Sequence, residues 1–263
     1  MSRMSQNKHI LPTKRIHNFR DYGGYTVRGG GRLRPAMLFR SGEHSQATTS
    51  DLALVDDLAL KAMIDLRSLD ERVAKPNRYS VSSRAKILFS DSYIHARPPH
   101  EAIMDVAATP QMVRARLLEY YRISPFKPEQ INCLRLYFSA LIETDGATLV
   151  HCAAGKDRTG IAVALFHKII GVEIDDIFAD YLLTNEAGDL NDRIASFGYS
   201  VRAHLGDDLS EETLSISLSV EEQYLNEMFK SIYIQHESIE EYFRKILKFD
   251  NCQIDYLMNK FVV

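Results

Sequence analysis

The chain has 263 residues, 45% of them hydrophobic and 25% charged, the balance of a folded globular protein and not of a disordered one. A net charge of −3 gives no general attraction for nucleic acid, and no run approaches the roughly eighteen apolar residues that a transmembrane helix needs. Three cysteines, Cys133, Cys152 and Cys252, are too few for a disulfide framework and point to a reducing compartment.

Residues 1–15 carry basic groups but no apolar core or cleavage site of a secretory signal, so they read as a short polar tail, with the cytoplasm as the default location. No repeat, low-complexity run or linker divides 16–263, which reads as a single domain. Gly23-Gly24 and Gly29-Gly30-Gly31 bracket a hairpin-like entrance. A strand is expected over Ala36–Arg40, then a helix capped by Ser50 with Leu52, Val55, Leu58 and Ala59 on one face. Ala62–Leu66 and Ala85–Phe89 are short apolar runs that suit buried strands. Helices are expected over Gln111–Arg122 and Pro128–Glu143, and a strand over Thr148–His151. Arg158–Ile170 is apolar on nearly every face, as a helix at the centre of a domain is. Ser219-x-x-Glu222 and Ser238-x-x-Glu241 have the spacing of capping boxes before further helices. Strands and helices mixed through two thirds of the chain, with a helical last third, argue for an α/β domain.

One segment carries chemistry: His151-Cys152-Ala153-Ala154-Gly155-Lys156-Asp157-Arg158-Thr159-Gly160. A Cys followed six residues later by Arg is weak alone. The preceding His, the two glycines, and the setting between an apolar strand and an apolar helix make it specific. Five residues between Cys152 and Arg158 let the chain curl round a tetrahedral oxyanion, with amides of Ala153, Ala154, Gly155, Lys156, Asp157 and Arg158 pointing inward and the helix dipole behind them. Arg158 can fork two hydrogen bonds to two phosphate oxygens. The same positive surroundings favour a thiolate at Cys152. The expected chemistry is attack by sulfur on phosphorus, a phosphocysteine intermediate, and hydrolysis.

This loop resembles that of the cysteine-dependent protein tyrosine phosphatases, and its GKDRTG ending is similar to the bacterial and fungal tyrosine/lipid phosphatase branch. Asn18–Tyr25, Phe39–Gly42, Ile64–Ser68, Asp180–Asn185 and Ser238–Tyr242 resemble further motifs of that branch. The resemblance spans about Ile16 to Lys260. It implies a central, largely parallel sheet flanked by helices, no metal or organic cofactor, and a phosphorylated protein or phosphoinositide as substrate. Some members of this family are exported without a recognisable signal.

Expelling an alkoxide or phenoxide needs a proton donor. The resemblance implies a catalytic role for Asp157, although its neighbour Arg158 would disfavour the protonated acid. Asp91, after a strand, lies where related enzymes carry a mobile acid loop, and Asp91 to Pro99 reads as a lid. Asp65 is a third candidate, for which an ion pair with Arg67 is the simpler account. His151 reads as structural support. Lys156 either adds charge at the phosphate or, as the resemblance implies, holds a second phosphate of an inositol ring. The Thr159 hydroxyl suits stabilisation of the departing thiolate. Arg20, Arg40 and Arg67 either line the mouth or pair internally. Cys133 and Cys252 read as packing or surface residues. Two competing functions share such a loop: a silent phosphate-binding module, which the presence of both Cys152 and Arg158 disfavours, and a rhodanese-type sulfurtransferase, whose loop need not end in Arg-Thr-Gly. A nucleotide-binding P-loop fails, because Asp157 stands where Ser or Thr would follow the lysine.

Overall fold

The computed structural model describes residues 8–90, 109–188, 194–195 and 210–263. Asp91, and the expected lid beginning there, lie outside the described residues. Five strands form one sheet in the order β1-β2-β5-β3-β4: β1 (Arg20–Asp21), β2 (Leu38–Ser41), β3 (Ala62–Asp65), β4 (Lys86–Phe89) and β5 (Thr148–His151). β1 runs antiparallel to β2, and every other pairing is parallel. The sheet is therefore mixed and mostly parallel, flanked by helices, with a helical final third.

Alternation along the three inner strands sorts side chains to two faces. Leu38, Ile64 and Val150 join a large core cluster on one side, and Phe39, Met63 and Leu149 a smaller one on the other. The smaller cluster is closed by Val55 of α1 (Thr49–Asp57). The larger lies under α3 (Pro110–Ile123), α4 (Pro128–Glu143), α5 (Asp157–Ile170) and α6 (Ile174–Leu182). It also takes in residues of α7 (Glu211–Leu218), α8 (Glu222–Gln235), α9 (Ile239–Tyr242) and α10 (Asn251–Phe261). As its composition requires, α5 is buried almost throughout. No helix among the described residues is long and apolar enough to cross a membrane.

Two caps differ from the sequence reading. α1 is capped by Thr48, whose hydroxyl accepts from Asp51 N while Asp51 accepts from Thr48 N; Ser50 Oγ only bonds Thr48 Oγ1. Ser219 closes α7 and does not open α8, because its N–H is taken by Ser215 O; Glu221 is the N-cap residue of α8 and pairs with Arg114. Ser238 does cap α9, accepting from Glu241 N. The glycine-bracketed entrance forms as expected, with Thr26 bridging Arg32, and the last residue closes over it through paired hydrogen bonds between Arg32 and Val263. Part of the segment read as a polar tail is docked: Ile10 bridges Arg20, and Asp51 accepts from Lys14 N and Arg15 N.

A buried ion triad ties sheet edge to helices. Asp180 of α6 meets Arg20 Nε at 3.2 Å and Arg40 Nη1 at 2.8 Å, with all three side chains excluded from water. Burial alone would raise the Asp180 carboxyl, but Arg20 and Arg40 outweigh it and hold it well below the usual carboxylate range. Burial, with Arg40 beside it, lowers Arg20 to about 10. Removing one member of such a group leaves uncompensated buried charge, which costs about 3–5 kcal/mol. Asp180→Asn is expected to lose an amount of that order in urea unfolding at neutral pH. Because the folded carboxyl titrates below its unfolded value of about 3.9, its contribution is complete above that pH and fades as pH falls further. The gap between wild type and Asp180→Asn should accordingly narrow on acidification below about pH 4.

Candidate active site

The Cys152–Arg158 loop leaves the carboxyl end of β5, between the ends of its parallel neighbours β2 and β3, and runs into the first turn of α5. Ligand sites in parallel sheets form at such strand ends. What shapes this loop is where its carbonyls go. Ala153 O accepts from Glu43 N at 2.9 Å, and Gly155 O accepts from Asn18 Nδ2 at 2.6 Å and Arg40 Nη2 at 2.9 Å. Weaker contacts take Ala154 O to Asn18 Nδ2 (3.4 Å) and Cys152 O to His151 Nδ1 (3.3 Å). In a trans peptide the C=O and the following N–H point in opposite directions. Four carbonyls turned towards the scaffold therefore turn the N–H groups of Ala153, Ala154, Gly155 and Lys156 the other way. No described group accepts from the N–H of Ala153, Ala154 or Gly155. Successive amides free on one side, at the start of a fourteen-residue helix, make an anion nest.

Gly155 is required by two constraints at once. Its φ is +63°, and a Cβ there would stand 2.3 Å from Ser41 O and 2.7 Å from Gly42 N. Both neighbours are backbone and cannot move aside, so only glycine permits this approach.

Cys152 is buried at the base of the loop. Arg158 is gripped by Glu71 of α2 (Leu69–Ala74): both guanidinium ends lie 2.6 Å from the two carboxylate oxygens, and Nη1 also reaches Leu66 O at 3.2 Å. Burial works against the Arg158 charge, but Glu71 overrides it and raises the pKa well above the ordinary value. Glu71 was not picked out from the sequence, although Ser68-x-x-Glu71 has capping-box spacing directly after the Asp65-Leu66-Arg67 motif. It does close that box, accepting from Ser68 N at 2.8 Å. One carboxylate thus starts a helix and aims an arginine.

The three aspartates part company. Asp65 faces Arg67, with Nη2 to Oδ2 at 2.7 Å and Nε to Oδ1 at 2.9 Å. Burial would raise its carboxyl, but His151 and Arg67 hold it below the usual range. The ion pair with Arg67, the simpler of the two sequence readings of Asp65, is present. Asp157 is buried, with Oδ1 accepting from Tyr121 OH at 2.9 Å and lying 3.6 Å from Lys156 Nζ. Lys156 Nζ in turn donates to Ser217 O (2.6 Å) and Ser219 O (3.1 Å). Its ammonium caps the carbonyl end of α7, a favourable place for a cation, so it fastens that helix to the loop.

Arg20, Arg40 and Arg67 all pair internally and do not line the mouth. Thr159 Oγ1 is buried without a hydrogen-bond partner among the described residues. His151 is fully buried, stacked on His44 at 5.5 Å between ring centroids and near Asn77 and Asp65. Burial lowers its pKa despite Asp65, and burial with His151 beside it pushes His44 down to about 3. The pair packs beside the loop. Burial pushes the Cys133 thiol up to about 11, and Cys252 is exposed, in keeping with packing and surface roles.

Comparison with known proteins agrees with this geometry. The pattern described as the tyrosine phosphatase family matches residues 11–263. A Cupriavidus necator protein that carries a provisional tyrosine-protein phosphatase name is 31% identical over 258 residues, spanning 95% of this chain and 88% of that protein. The triple specificity protein phosphatase PtpB of Mycobacterium tuberculosis is 29% identical over 190 residues, covering 65% and 67% of the two chains. A tyrosine-protein phosphatase of Nostoc commune is 28% identical over 151 residues, covering 57% and 49%. The chain belongs to the tyrosine phosphatase family and is a cysteine-dependent phosphatase.

Proposed function

We propose that the protein hydrolyses phosphomonoesters of tyrosine, and also of serine and threonine, in proteins, with Cys152 as nucleophile. The nest of amides turned inward by its outward carbonyls is the observation that carries this reading. A phosphate seated on those N–H groups, with two oxygens on the Arg158 fork, presents phosphorus to Sγ. Sulfur forms the S–P bond as the P–O bond to the leaving group breaks, and Asp157 delivers a proton to the departing oxygen. Water then attacks phosphorus, giving a proton back to Asp157, the S–P bond breaks, and inorganic phosphate leaves while Thr159 Oγ1 supports the released thiolate. Glu71 keeps the Arg158 fork in plane throughout.

Protein phosphoesters are favoured over phosphoinositides because the Lys156 ammonium is already held by Ser217 O and Ser219 O, and a second inositol phosphate would have to draw it away. The name of the M. tuberculosis relative, a triple specificity phosphatase, supports a range wider than phosphotyrosine.

Cys152→Ser is expected to lower turnover of p-nitrophenyl phosphate on the order of 10³-fold or more while vanadate-protected folding is kept; equal rates would refute cysteine catalysis. Glu71→Gln should lower kcat/KM about 10²-fold, the scale of a misplaced catalytic group, read from initial rates at pH 6–7. Asp157→Asn should lower kcat by ~10²–10⁴, most with phenyl phosphate, whose poor leaving group needs the proton, and should erase the basic limb of the kcat–pH profile. Asp91→Asn is the control. If that variant, and not Asp157→Asn, loses the basic limb, the donor is Asp91. Rates on a phosphotyrosine peptide and on a short-chain phosphatidylinositol phosphate test the substrate preference.

A further inference from the structure

Asp157 is the terminus of a buried hydrogen-bond chain. Tyr181 OH donates to Tyr121 OH at 2.7 Å, and Tyr121 OH donates to Asp157 Oδ1 at 2.9 Å. Each phenol has one proton to give. Since Tyr181 gives its proton to Tyr121, the Tyr121 proton is free for the carboxyl, and the chain has a single direction. Both phenols are fully buried, and burial followed by the Asp157 charge raises them well above the ordinary tyrosine value, so they remain donors across the working pH range. Their rings are fixed from three sides. Tyr121 stacks on Tyr224 (5.7 Å, 26°) and meets Tyr181 edge-on (6.1 Å, 73°). At Gly160, in the first turn of α5, a Cβ would lie 3.0 Å from the Tyr181 ring, so the ring packs directly on the helix backbone.

We propose that Tyr121, with Tyr181 behind it, is the positioning residue of the reaction's acid: by taking Oδ1 it fixes the Asp157 rotamer and leaves the second carboxyl oxygen to the substrate. This rests on the assignment of Asp157 made above. It deepens that assignment, because one stretch of α6 then acts on both halves of the loop. Asp180 acts through Arg40 on the Gly155 carbonyl, and Tyr181 through Tyr121 on Asp157.

The test is a double-mutant cycle of Tyr121→Phe and Asp157→Asn, with Tyr181→Phe in parallel, on phenyl phosphate and p-nitrophenyl phosphate from pH 5 to 8. Tyr121→Phe keeps the ring and should lower kcat about tenfold with KM little changed, more on phenyl phosphate than on the activated ester. In the Asp157→Asn background the same change should cost less than twofold, and Tyr181→Phe should show a weaker form of the Tyr121→Phe effect. Equal losses from Tyr121→Phe in both backgrounds would overturn the proposal and leave Asp157 as the acid. An unimpaired Asp157→Asn would instead overturn the assignment itself. Should Tyr121→Phe fail to fold, judged by thermal unfolding, Tyr181→Phe carries the same cycle, and its failure to couple to Asp157 would count against the proposal.

Discussion

The direction of four peptide carbonyls decides what this protein can do. Those of residues 152–155 are each taken by a scaffold donor: His151, Glu43 N, Asn18 and Arg40. Because peptide planarity couples each carbonyl to the next N–H, the backbone supplies a row of inward amides, to which Arg158 adds its guanidinium. Had the carbonyls been left to water, the loop could turn either way and the amides would have no fixed target.

Motifs spread along the chain become one device under that constraint. Asn18, itself at φ +58°, holds the Gly155 carbonyl, and Arg40 holds the same oxygen from β2. Arg40 keeps its place because Asp180 neutralises it beside Arg20. Ser41 and Gly42 form the wall against which Gly155 must lie bare. On the other side, the residue after β3 delivers Leu66 O and the start of α2 delivers Glu71, both to Arg158. The charged residues are thus arranged in depth: the inner ones are paired with each other, and the arginine that meets phosphate is held by a carboxylate on its far side. A guanidinium so held loses little freedom on binding, which is how preorganised electrostatics lower a barrier.

Much of this was legible in the sequence, for reasons that differ from part to part. Four of the five strands and the central helix declared themselves through apolar runs and period, and β5 falls on the expected residues because Thr148–His151 is bounded by turn and loop. β1, only Arg20–Asp21, has no apolar run to show it, and β4 stands at the sheet edge, half exposed instead of buried. The loop was legible because its chemistry is local, with nucleophile, glycine and arginine inside seven residues. Glu71 escaped notice because its partner lies 87 residues away, and Tyr121 because a phenol on an apolar helix face looks like core. The docking of the Lys156 ammonium was illegible for another reason: besides lying 3.6 Å from Asp157 it donates to backbone carbonyls about 60 residues on, which leave no mark in side-chain identity. Ser219 shows the same limit from the local side: a spacing that suits a cap says nothing of whether the preceding helix ends there.

The central claim is that the amides of residues 153–158 converge on one anion above the Cys152 sulfur. The most direct measurement is a crystal structure of the protein soaked in tungstate. The account predicts the metal oxide on those N–H groups, with two oxygens on the Arg158 fork, Glu71 still behind it, and Sγ beneath the central atom. Tungstate bound elsewhere, or a loop with its Gly155 carbonyl turned into the site, would contradict it.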